Sequence, residues 1–233
     1  MRNFMTAAVL AATASFACPC LDAAMHAAVA PSDQVAQSGQ DTTFYRVPLM
    51  CHAARGLGCG SRAKPVLLDL QKKPNVQEVW LNHTGEILAV VWKPGSHAAD
   101  RQSVVTAVAD AHGVSMDELD PTAREAELTG FRAGTGWHRG TEVDQLSAQE
   151  ARVIAARLLR RVSSTTPGVQ RKMATIQPAL TEAIRRQLVG TGASAQQCRD
   201  ALLASARPHL DKSELAALKD ALGRGFQPVG DEQ

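Results

Sequence analysis

Cys51 and Cys59 are the residues of this chain whose type and spacing could do chemistry. Deprotonated sulfur holds soft ions, and two thiolates suffice for the linear geometry that Cu(I) and Hg(II) accept; Zn(II) is a further candidate. The intervening loop, HAARGLG, with Gly56, Gly58 and then Gly60, can bend tightly enough to bring both sulfurs together. Arg55, Arg62 and the amino end of a helix starting near Ser61 would favour the thiolate form. His52 is a candidate third ligand, although a loop histidine beside a strand end is more often simply solvated. Two other outcomes stay open for the same pair. In an oxidising compartment the cysteines could close a structural disulfide, contributing about 2 to 3 kcal/mol in the chain-entropy account. They could also cycle between thiol and disulfide.

The elements that must position this loop follow from punctuation and periodicity. Thr43 to Leu49 reads as a strand with Pro48 at its loop end. Ser61 is placed to cap a helix that buries Val66, Leu67 and Leu70 and stops at Pro74. Val76, Val79 and Leu81 give the next strand one apolar face. His83 to Glu86 form a turn, and Ile87 to Trp92 is apolar enough for a central strand. Ser96 to Ala111 reads as a helix with His112 in its last turn and Gly113 as a left-handed stop. Beyond it the chain is polar and glycine-rich, so a fourth strand is expected late, around Glu125 to Phe131, or not at all. Trp137 and His138 fall in the following loop, with the Trp expected to fill a gap between packed parts.

These segments, YRVPLMC, a second cysteine, VLLDL, NVQEVWLN and ILAVVW, resemble the heavy-metal-associated domain family of copper chaperones and mercury-binding proteins over roughly residues 43 to 113. That family reads strand, M-x-C-x-x-C loop, helix, strand, strand, helix and short strand. Here Met50 directly precedes Cys51 and seven residues separate the cysteines. The resemblance implies a ferredoxin-like βαββα fold, and thiolate binding of a soft ion at Cys51 and Cys59. Met50 is expected to pack beneath the loop.

The rest of the chain organises around this unit. Arg2 and the apolar run Phe4 to Ala17 read as an export signal ending by residue 30, too short for a bilayer span of about 20 residues. Cleavage before Cys18 would offer that cysteine for lipid anchoring. Residues 31 to 42 read as a linker. The α+β unit is expected over 43 to 135, and about four helices over 146 to 225. In that helical segment Ser147 and Glu150 have the S-x-x-E spacing of a capping box, and Val169, Met173, Ile176, Leu180, Ile184 and Leu188 form a stripe from Pro167 to Val189. A tail without structure is expected over 226 to 233. Residues 147 to 224 hold 13 Lys or Arg against 6 Asp or Glu, which suits an anionic membrane surface or partner.

A formal charge of +2 on 233 residues gives no case for a nucleic-acid partner. Catalytic fingerprints such as G-x-S-x-G, H-E-x-x-H and the Walker loop are missing, and no histidines lie at i, i+4. The sequence therefore points to an exported, non-enzymatic protein, periplasmic or secreted. It would bind or deliver a soft metal ion, with a membrane metal transporter as a candidate partner; the other reading is a binding or assembly module bridged at Cys51 and Cys59.

Overall fold

The computed structural model describes residues 41–190, 194–230 and 232. The expected export signal, with Cys18, and nearly all of the expected linker lie outside those residues. The described chain is mixed α+β, with a five-stranded antiparallel sheet and seven α-helices. Its strands are β1 (Thr42–Arg46), β2 (Val76–Asn82), β3 (Ile87–Trp92), β4 (Asp117–Glu118) and β5 (Trp137–Arg139), in the spatial order β4-β1-β3-β2-β5. The helices are α1 (Gly60–Gln71), α2 (Ala98–His112), α3 (Pro121–Arg132), α4 (Asp144–Thr165), α5 (Met173–Val189), α6 (Ala195–Ala206) and α7 (Lys212–Gly223).

All six side chains of β3 are buried, because the strand is central and both faces of the sheet are covered. On one face Leu88, Val90 and Trp92 join Leu67 and Leu70 of α1, and Val105 and Val108 of α2. On the other face Ile87, Ala89 and Val91 meet Leu128 and Phe131 of α3. The period-2 alternation of a strand thus feeds two separate apolar layers. Trp137 lies in the second layer, edge-on to Phe44 and Phe131 with ring centroids 5.9 and 5.1 Å away. Trp137 does pack, but within the sheet's own apolar layer and on a short strand instead of in a loop between domains, since it pairs with Asn82 and extends the sheet.

Several boundaries differ from the sequence reading. The fourth strand is neither late nor missing: Asp117 and Glu118 pair with Arg46 and Tyr45 immediately after α2. Residues 125 to 131 are helical instead of extended. Asp120 caps α3 by accepting hydrogen bonds from the Thr122 and Ala123 N–H groups, and Pro121 fits the first turn, where its missing N–H costs nothing. The stripe read as one helix from Pro167 is split into a 3-10 turn (Pro167–Lys172) followed by α5. Gly113 closes α2 at φ +61°, as its position implied.

A second core lies among α4 to α7, built from Ile154, Leu158, Ile176, Leu180, Leu202, Leu218 and their neighbours. Helix α4 serves both cores, since Leu146 near its start is buried in the first. The tail expected over 226–233 is instead fastened where it is described. Arg161 of α4, 4 % exposed, donates to the Gly225 and Gln227 carbonyls and forms a 2.6 Å ion pair with Glu232.

Candidate dithiol site

The loop between β1 and α1 is folded back on itself. Met50 and Gly58 form an antiparallel bridge, the Cys51 N–H donates to the Leu57 carbonyl at 2.8 Å, and the Cys59 N–H donates to the Leu49 carbonyl at 2.7 Å. Nine residues of sequence are thereby closed into a pinched turn whose two ends lie side by side. The turn leans on the β2–β3 connection, where Gly58 N–H donates to the His83 carbonyl and Leu49 N–H to Gly85. Gly85 has φ +77°, and a Cβ there would stand 2.5 Å from the Leu49 carbonyl oxygen. Only glycine satisfies both conditions. At the other end Gly60 abuts Ser147 and the Val143 carbonyl, so the start of α1 is pressed onto the start of α4 with no room for a side chain.

This arrangement buries Cys51 and Cys59 at 5 % and 8 % exposure and sets the two thiols near enough that each bears on the ionisation of the other. The two thiols are free and unequal. Cys59 occupies the N-cap position of α1, the place expected for Ser61. Its ionisation is favoured first by the hydrogen bond from Cys51, then by the Ser61 hydroxyl at 3.3 Å and by the Arg62 N–H and charge. Cys51 is pushed well above the ordinary thiol range, first because it serves as donor to Cys59, then by burial and by the Glu150 carboxyl beside it. Cys59 is therefore the sulfur of the pair that ionises more readily, and Cys51 the one that holds its proton. Arg62 contributes as the sequence suggested; Arg55, exposed at the loop tip, is not among the groups that tune either sulfur.

Glu150 is the residue sequence reasoning missed. Its S-x-x-E spacing with Ser147 suggested a helix start, but α4 begins at Asp144, and both side chains are buried in its first two turns. Glu150 is 4 % exposed, its Oε2 has no hydrogen-bond partner, and its pKa is pushed up to about 7. Burial is the main cause and the Cys59 charge the second, with a hydrogen bond to Cys51 acting the other way. Seven and eleven residues further along the same helix stand Arg157 and Arg161. One guanidinium nitrogen of Arg157 donates to Ala53 of the cysteine loop at 2.6 Å and to Phe226 at 2.7 Å. The sulfurs lie on the floor of a 470 Å³ cavity whose walls include Met50, His52, Glu150, Arg62, Arg224 and Phe226. His52, expected as a third ligand, stays exposed in that wall, and Met50 is 42 % exposed instead of packing beneath the loop.

Among the described residues no three His, Cys, Asp or Glu side chains converge as a complete ligand set. None of the described helices is long and apolar enough to cross a membrane. In comparison with known proteins, no family model, no curated protein and no solved structure matches the chain.

Proposed function

We propose that this protein binds a soft metal ion through Cys51 and Cys59 and passes it on. The single observation that carries the reading is the convergence of Cys51 and Cys59 on one open cavity, with the ionisation of Cys59 favoured by its neighbours. Two sulfurs and no third fixed donor suit an ion content with two ligands, Cu(I) or Hg(II), better than Zn(II), which takes four. Support also comes from the order of elements. Strands β4-β1-β3-β2, with α1 and α2 on one face, are compatible with the ferredoxin-like arrangement that the resemblance implies, and the thiols sit between the first strand and the first helix, where the heavy-metal-associated family keeps its own. On this reading the chain is exported and the ion is cargo destined for a membrane metal transporter.

The test is a Cu(I) titration of the reduced protein against a competing chelator, comparing wild type with Cys51→Ser and Cys59→Ser. One equivalent bound by wild type and lost in both variants is the expected result. Affinity unchanged by both substitutions places the ion elsewhere and ends the reading.

A second reading, thiol–disulfide exchange, is favoured by the inequality of the two sulfurs, since a thiolate beside a thiol is the ground state of a nucleophile and its resolving partner. Thiol counting on protein purified without reductant separates the two. A fully reduced pair favours the metal site, whereas a bridge that glutathione opens and closes favours exchange.

A further inference from the structure

The turn between β2 and β3 and the short edge strand β5 bring two histidines together away from the thiols. Leu81 is paired with His138 and Asn82 with Trp137, so His83, one residue past the end of β2, projects beside His138. His83 Nδ1 and His138 Nε2 face each other at 3.5 Å, with ring centroids 5.7 Å apart and planes inclined by 36°. That spacing is poor for a hydrogen bond, which is best near 2.9–3.0 Å. It is the spacing of two nitrogens that share an ion. With metal–nitrogen bonds of about 2.0–2.1 Å, nitrogens 3.5 Å apart subtend roughly 115–120° at the metal, close to the tetrahedral angle.

The scaffold holds the pair in place. The His83 carbonyl accepts the Gly58 N–H at 2.7 Å, Asn82 Oδ1 takes the Glu86 and Ile87 N–H groups, and β5 fixes the His138 backbone. Both rings are half-buried, open to solvent on one side. The Glu142 carboxylate acts electrostatically on His138 while accepting the Arg139 N–H at 3.1 Å.

We infer that His83 and His138 form a second metal site, selective for a borderline divalent ion such as Zn(II), with Glu142 or water completing the coordination. Imidazole and carboxylate suit that class, whereas the buried sulfurs suit a softer one. The site does not depend on what Cys51 and Cys59 do.

The test is a Zn(II) titration of the full chain carrying Cys51→Ser and Cys59→Ser, so that the thiols do not compete, followed by calorimetry and by imidazole nitrogen NMR. One equivalent should bind, with the resonances of His83 Nδ1 and His138 Nε2 moving, and His83→Gln or His138→Gln should weaken binding roughly tenfold or more. Binding that is insensitive to both histidine substitutions, or no binding at all, overturns the site. Should the serine variant not fold, the same NMR titration on the reduced wild type decides. If those two nitrogens stay fixed while Zn(II) binds elsewhere, the inference is wrong.

Discussion

Replacing Glu150 by Gln should raise stability in alkaline solution relative to acid, so that the variant gains on wild type as the pH rises. In the folded chain the carboxyl titrates at about 7 instead of the ordinary 4.5, because burial and the Cys59 charge disfavour its anion. A carboxyl held neutral by the fold contributes stability that is fully present below about pH 4.5 and is lost as the pH rises through 7. The difference of about 2.5 units corresponds to roughly 3 kcal/mol. Glutamine cannot ionise, so it escapes the loss. Its amide does bury two donors beside a side-chain oxygen that already lacks a partner, a cost of about 1–3 kcal/mol that does not vary with pH. The signature is therefore the slope. Urea unfolding of both proteins from pH 4.5 to 8.5 should show the stability of the variant relative to wild type climbing by about 3 kcal/mol, most of it between pH 5 and 7. A difference that stays flat across that range, or falls, refutes the placement of an ionisable carboxyl in this buried position.

Further outcomes follow from the same geometry. Cys51→Ala removes the largest influence holding Cys59 ionised, so the thiolate ultraviolet absorbance should titrate at higher pH than in wild type; an unchanged midpoint would mean that the two sulfurs do not touch. Gly85→Ala combines a left-handed backbone with a Cβ driven into the Leu49 carbonyl. It should cost about 2 kcal/mol or more in thermal unfolding and speed alkylation of the cysteines. Arg161→Met strands the Glu232 carboxylate and two carbonyls, and about 3 kcal/mol of stability should go with it, together with new proteolytic cleavage near residue 225. Glu232, whose pKa the Arg161 guanidinium holds down at about 2, contributes stability present above about pH 4.5 and lost toward pH 2. That acid-side loss should vanish in the same variant.

How much could be read in advance depended on the range of the interactions. The β2–β3 hairpin and α2 were legible because alternation, a turn cluster and a C-terminal glycine are all local signals. The cysteine loop was legible only in part: Gly56 and Gly58 lie inside it, but Gly85, whose bare backbone lets the turn close on the β2–β3 connection, belongs to another hairpin. Strand β4 was not, since two exposed residues, Asp117 and Glu118, have no pattern of their own and become a strand only by pairing with β1. Helix α3 carried a usable signal, Asp120-Pro121, which the apolar pair Leu128 and Phe131 obscured. Glu150 was misplaced because S-x-x-E looks the same at a helix start as inside a helix that faces another. The clamps made by Arg157 and Arg161 join residues 60 to 104 positions apart, and no window of sequence contains both ends.

A single nitrogen of Arg157 holds the carbonyls of Ala53 and Phe226 at once. The two walls above the sulfurs are thus riveted to one another, and neither can swing outward alone. Spreading those walls would unseat a guanidinium that is only 2 % exposed and leave its charge buried without partners.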